Sequence, residues 1–278
     1  MRLVRYKSNE GHPEYGCVEG SDVYRVSGDP LVKVERKEKV GTLDLVSLLA
    51  PCRPNKILAI AINFPGIDGY SSMMNEPLVF LKSSTSVCGP GEAVINPFPA
   101  LPWWGEAELA VVIKKPLKNI LENQVREGIL GFTIGNDVTV ENVDHRDHHL
   151  ARSKCPDQFC PIGPWIDTDF DPSDCLIEAI QNGEVIRRAR SSAQVWQWPK
   201  IVSWLSTWIT LEPWDVILTG NPPDTVGMHF VQHGDIYTAR VEGLGELTNQ
   251  FFVKGRSGME DSLEGQYVVG PSRRKDSR

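Results

Sequence analysis

The chain lacks most of the features that would settle its class at a glance. No apolar run approaches the ~20 residues that a membrane-spanning helix needs. The opening stretch MRLVRYKSNEG carries no apolar core of the kind a secretory leader has. A cytoplasmic protein without membrane association is therefore expected. Basic residues are outnumbered, with 29 Lys and Arg against 36 Asp and Glu, for a formal charge of −7. Such a surface repels phosphate backbones and argues against nucleic-acid binding. The six cysteines (Cys17, Cys52, Cys88, Cys155, Cys160 and Cys175) form no CxxC pair. They read as free, mostly buried thiols, which argues against a zinc site built on them. There is no internal repeat and no low-complexity block.

What is present is an ordinary globular composition. Of 278 residues, 41% are hydrophobic and 23% charged, enough apolar surface for a substantial core. The length predicts one large domain with a small accessory part. Residues 1–54 read as a small β-rich module: Arg2–Tyr6, Tyr15–Val18 and Val23–Val26 are strand-like, the last two joined at Glu19-Gly20-Ser21-Asp22. Thr42–Leu49 is a short helix candidate, and Pro51-Cys52-Arg53-Pro54 marks the boundary. Residues 55–254 read as the catalytic domain. Its strands are Lys56–Ile62, Leu78–Lys82, Glu106–Ile113, Ile129–Val140, Val216–Thr219, Ile236–Glu242 and Glu246–Val253. Helices are expected at Leu117–Glu127 and Pro199–Thr210. In the second, Ile201, Trp204, Leu205, Trp208 and Ile209 share one face and read as core packing. Residues 255–278 form a polar tail. The fold class is α+β, mostly β.

The segment Gly105-Glu106-Ala107-Glu108-Leu109 carries the most chemical information. Residues i and i+2 of a strand point to one face, so Glu106 and Glu108 project together at the start of an apolar strand. Two adjacent carboxylates repel unless a cation neutralises them. A hard cation such as Mg²⁺ prefers oxygen ligands, and Asp137, at the end of another apolar run, supplies a third. A solvated strand end bearing surface glutamates is the competing reading, and spacing alone does not decide between the two.

Five ordered stretches tip the balance. They are Lys56-Ile-Leu-Ala-Ile-Ala-Ile-Asn63-Phe64; Phe80-Leu81-Lys82 running to Gly89-Pro90-Gly91; Glu106-Ala-Glu108 with Gly131 to Thr139; Lys154-Cys-Pro-Asp157-Gln-Phe-Cys160-Pro161 to Trp165; and Leu211-Glu-Pro-Trp-Asp-Val-Ile-Leu-Thr219-Gly220-Asn221-Pro222. Together they span residues 55 to 253 and resemble the fumarylacetoacetate hydrolase superfamily in its short, bacterial-type branch. The resemblance implies a rolled, mixed β-sheet and Mg²⁺ (or Mn²⁺) on Glu106, Glu108 and Asp137. It also implies a homodimer and a small-molecule carbonyl substrate, a 2-oxo acid or 1,3-dicarbonyl that chelates the metal. Lys154 matches the active-site lysine and Lys82 a second one. Asn63, Asp157, Thr219, Gly220 and Asn221 fall in the matching motifs as substrate-binding candidates.

The chain also departs from that pattern. Where the resemblance leads one to expect a His/Glu dyad that activates water, Ile67 and Tyr70 stand instead. An isoleucine cannot take a proton. An arginine expected soon after Asp137 is Glu141, which removes a bidentate partner for a carboxylate. Asp68 and His148 are candidate replacement bases, His148 from the cluster His145-Arg146-Asp147-His148-His149. His145 and His149 are four apart, so on a helix they would share a face, as zinc ligands often do. Trp103, Trp104, Trp196 and Trp198 could line a larger apolar pocket for a bulky substrate. The expected function is a lyase or isomerase of the decarboxylase or tautomerase type. A C–C hydrolase with a replacement base and an inactive metal-binding protein are the alternatives.

Overall fold

The computed structural model describes residues 1–142, 145–225 and 227–255. Strand accounts for 43% and helix for 12%, so the expected mostly-β α+β class holds. Ten strands form the spine of one mixed sheet. In spatial order they are Lys33–Thr42, Asp22–Asp29, Pro13–Glu19, Arg2–Lys7, Cys160–Asp167, Ile129–Asn136, Ala107–Ile113, Val216–Leu218, Ile57–Ala61 and Leu78–Lys82. The first four make the N-terminal β-rich part. Arg2 and Leu3 pair with Asp167 and Ile166, so those strands hydrogen-bond into the same sheet as the rest. A second sheet runs Glu184–Arg190, Leu176–Gln181, Ile236–Val241, Gly245–Val253 and Val94–Asn96.

The strand Ala107–Ile113 shows why its sequence folds this way. All seven residues are buried, because it is a central strand with a core on each face. Leu109, Val111 and Ile113 join the larger hydrophobic cluster, while Ala110 and Val112 join a second one behind the sheet. Each large aliphatic side chain buried here contributes about 1.5–3 kcal/mol. Their sum offsets the several kcal/mol that burying Glu108 at the same strand's start costs. The continuous apolar run, read as a fully buried strand, is what holds a carboxylate in place.

Three expected elements differ. Thr42–Leu49 is not a helix; Lys33–Thr42 ends there in a turn, followed by the two-residue strand Leu48–Leu49 that pairs with Arg5 and Tyr6. Only the end of Leu117–Glu127 is helical, as the 3₁₀ turn Glu122–Gly128, since Leu117 instead bridges to Leu211. The run Ile129–Val140 is broken after Asn136 and resumes as Thr139–Val140. The helix Trp198–Trp208 forms as expected, but buries Ile201, Val202, Leu205 and Ser206. Its buried face is rotated from the expected stripe: Trp208 is 52% exposed, with Trp204 edge-on against it. No helix among the described residues is long and apolar enough to cross a membrane. The tail, apart from Gly255, lies outside the described residues.

Candidate active site

The two central strands deliver the three carboxylates. Ala107 pairs with Asn136 and Glu108 with Gly135. Continuing that antiparallel register by one residue sets Glu106 beside Asp137, whose N–H donates to the Glu106 carbonyl at 2.9 Å. The Asn136 side chain accepts from the Glu106 N–H at 2.8 Å and fixes the strand end. One oxygen from each of Glu106, Glu108 and Asp137 lies within 4.8 Å of the others. Glu108 and Asp137 are each 1% exposed. A solvated strand end is therefore the wrong description of this segment.

Two lysines answer the negative charge. Lys154, at the end of the short helix Ala151–Lys154, donates to Glu106 at 2.9 Å and to Asp137. Its ammonium also lies 4.8 Å from the Phe80 ring centroid. Lys82 donates to the other Asp137 oxygen and to the Val138 carbonyl at 3.2 Å. Trp104 Nε1 donates to Glu106 at 2.6 Å. Burial alone would raise the Glu106 pKa, but the charges of Lys154 and Arg187 and these hydrogen bonds outweigh it and bring it down to about 2. Glu108 goes the other way. Burial and the charges of Asp137 and Glu106 push its carboxyl well above the ordinary range, despite a hydrogen bond from the Gly220 N–H. Burial would lower the Lys154 pKa, but Asp137 and Glu106 hold it above the usual lysine range, so the side chain stays an ammonium.

The cluster opens into a cavity of about 360 Å³. Its walls include Ile60, Ile67, Asp68, Phe80, Trp104, Arg187, Asn221, Asp224 and Met228. The donor set suits a hard divalent cation: three carboxylates converge, and Glu108 suffers a repulsion that a cation would relieve. Asn221 Oδ1 is buried in the same cavity wall without a hydrogen-bond partner, an acceptor left for a water or hydroxyl beside the carboxylates.

The other expected site residues divide sharply. Asp68 lines the cavity from an exposed loop. Asn63 does not line it. Its amide donates to the Thr219 and Trp196 carbonyls at 2.7 and 2.9 Å and accepts from the Trp196 N–H at 2.8 Å, so it is a strut between loops. Thr219 is likewise spent, donating to the Leu109 carbonyl at 2.9 Å and accepting from Gln194 at 2.9 Å. Gly220 serves Glu108 rather than a substrate. Of Thr219, Gly220 and Asn221, only Asn221 lines the cavity. Asp157 is exposed and outside the cavity lining.

His148 is also displaced from its expected place. With His145 and His149 it lines a separate cavity of about 610 Å³ beyond Phe80 and Leu150. All three rings are exposed, His145 has a positive φ of 51°, and Arg146 and Asp147 are not helical, so no helix runs from 145 to 149 and the i, i+4 geometry assumed for zinc is absent. Of the four tryptophans, only Trp104 reaches the cavity. Trp103 is buried against Phe159 and Phe251, Trp198 packs edge-on against Phe132, and Trp196 packs against the large core. The expectation that these tryptophans together line a larger apolar pocket therefore does not hold for Trp103, Trp196 and Trp198. Arg187 and Asp224 were missed by sequence reasoning. Nothing in the pattern of Glu184–Arg190 tells which of its three arginines turns inward.

Comparison with known proteins shows the family and the fold. The family described as fumarylacetoacetate (FAA) hydrolase C-terminal matches residues 58–252, and the Rv2993c-like N-terminal family matches residues 1–51. Protein Rv2993c of Mycobacterium tuberculosis is 38% identical over 218 residues, covering 76% of this chain and 80% of that protein. The mitochondrial oxaloacetate tautomerase Fahd2a of Rattus norvegicus is 31% identical over 240 residues, covering 80% of this chain and 76% of its own length. Among solved structures, 5-carboxymethyl-2-hydroxymuconate delta-isomerase from Mycobacterium smegmatis superposes with a TM-score of 0.83. It is 36% identical, with 91% of this chain and 100% of that chain covered.

Proposed function

The chain belongs to the fumarylacetoacetate hydrolase family, and from that premise we propose that it is a divalent-metal-dependent isomerase of the tautomerase type. Its substrate is a small 2-oxo acid or 1,3-dicarbonyl compound. Glu106, Glu108 and Asp137 would hold Mg²⁺ or Mn²⁺, and the ion, when bound, supplies Lewis-acid polarisation of a chelated carbonyl.

The observation that carries the reading is Lys154. Its buried ammonium sits in the cavity lining, bonded to Glu106 and Asp137 and held protonated by them. A fixed positive charge beside a carbonyl stabilises the oxyanion that forms as an enolate develops. The same charge makes Lys154 a poor base. Asp68 is the carboxylate of the loop at the place where a water-activating dyad is missing, and it lines the cavity. Its carboxylate takes a proton from the carbon next to the carbonyl, and the enolate oxygen then gains a proton to give the enol. Ile67 fills the neighbouring wall with apolar surface and activates no water, which weighs against hydrolysis. The isomerase and tautomerase names of the relatives point the same way.

The test is to follow the enol absorbance of oxaloacetate and of an acylpyruvate in the presence of Mg²⁺, with CO₂ and acid release measured alongside. Accelerated keto–enol exchange without either product is expected, slowed about 100-fold or more by Lys154→Met. Stoichiometric CO₂ would turn the assignment to a decarboxylase, and a released acid fragment to a hydrolase.

A further inference from the structure

Arg187 brings a second cation, beside Lys154, to the cavity lining. It comes from the second sheet, on the edge strand Glu184–Arg190, and reaches the same cavity as the carboxylates of the first sheet. The residue is only 6% exposed. Its Nε donates to Asp224 at 2.6 Å. Among the described residues its two Nη groups make no hydrogen bond, yet they are not sealed off: the buried polar atoms without partners do not include them. Arg187 lines the cavity, close enough for its guanidinium charge to act on Glu106.

Burying a guanidinium with its terminal N–H groups unmatched is costly unless something occupies them. With Nε taken, the two Nη groups present an end-on fork, whose spacing matches the two oxygens of a carboxylate. The fork is held still from behind. Arg187 and Asp224 form an isolated β-bridge, and the Thr225 N–H donates to the Ile186 carbonyl at 3.0 Å, tying the loop to the strand. Glu141, at the position where a carboxylate-binding arginine was expected, is exposed and outside the cavity lining.

We infer that Arg187 is a specificity-determining residue of this chain: it binds a second carboxylate of the substrate, remote from the carbonyl group at the Glu106/Glu108/Asp137 cluster. The inference rests on the 2-oxo acid reading above. Arg187 sets specificity and position, while Lys154 and the carboxylates serve the reacting end. Asp224 orients the guanidinium through Nε.

The experiment is calorimetric titration of the Mg²⁺-loaded protein with three probes: oxalate, 2-oxopentanoate and 2-oxoglutarate. The last two have similar length and differ in the distal carboxylate. Wild type is expected to bind 2-oxoglutarate about tenfold or more tightly than 2-oxopentanoate, the worth of one charge-assisted pair. Arg187→Gln should erase that ratio and leave oxalate and 2-oxopentanoate binding unchanged. Asp224→Asn should keep the preference, because the fork remains. If the Arg–Asp pair were only a structural tie, the two variants would behave alike. An unchanged 2-oxoglutarate preference in Arg187→Gln, with oxalate binding intact, overturns the assignment of Arg187 alone. Failure of wild type to bind oxalate or either 2-oxo acid overturns the metal-chelate reading and this inference with it.

Discussion

The floor and the rim of the cavity are built on opposite principles. On the floor, Glu106, Glu108, Asp137, Lys82 and Lys154 are buried or nearly so, and every one has a hydrogen-bonded partner. The floor is anchored to two central strands with apolar cores on both faces. The rim is loop: Pro65, Gly66, Asp68 and Gly69 are exposed, Gly66 and Gly69 have positive φ, and Met228 is 52% exposed. A floor that cannot move suits ligands whose spacing must be fixed. A rim with few contacts can change residue by residue without unfolding anything, and it is on that rim that Ile67 and Tyr70 stand where the resemblance led one to expect a water-activating pair. Changes to the floor should therefore cost stability and metal together, and changes to the rim should cost turnover alone.

Gly220 offers the harshest test on the floor side. Its φ is +101°, and a Cβ there would sit 2.6 Å from the Asn63 Cβ. Gly220→Ala is expected to lose about 3 kcal/mol of stability by denaturant unfolding, through clash and backbone strain. It should also weaken Mg²⁺ binding, because the Gly220 N–H holds Glu108. On the rim side, Asp68→Asn is expected to slow enolisation about 100-fold, the usual worth of a positioned acid–base group. Its melting temperature and metal affinity should match wild type. If Asp68→Asn melted early, or Gly220→Ala kept full stability, the division between floor and rim would break.

The same division sets how far the chain can be read without coordinates. The floor was legible because local rules set its carboxylates side by side and the ordered family motifs then decided between a cation site and a solvated strand end. Strand periodicity puts Glu106 and Glu108 on one face, and an apolar run ending in Asp137 supplies the third carboxylate. Lys154 was legible only through the family resemblance, in register counted back from Phe159-Cys160-Pro161. Asn63 and Thr219 were misassigned as substrate ligands because their motifs are right but their hydrogen bonds are spent on loop-to-loop ties. A linear pattern does not show which partner satisfies a buried amide. His148 failed for a related reason: closeness in sequence to Lys154 does not say on which side of Phe80 a side chain falls. Arg187 was invisible because it enters from a different sheet, and only the packing of one sheet on the other brings it to Glu106. Thr42–Leu49 and Trp208 went wrong where tertiary contacts overrode a helical pattern.

The central claim is that Glu106, Glu108 and Asp137 hold one divalent cation next to Lys154. Titration of the purified chain with Mn²⁺ by paramagnetic resonance or calorimetry addresses it directly. The account predicts one tight site per chain, competed by Mg²⁺, and its loss in the Glu106→Ala/Glu108→Ala double variant while far-ultraviolet circular dichroism shows the sheets intact. An intact double variant that binds Mn²⁺ as tightly as wild type would contradict it.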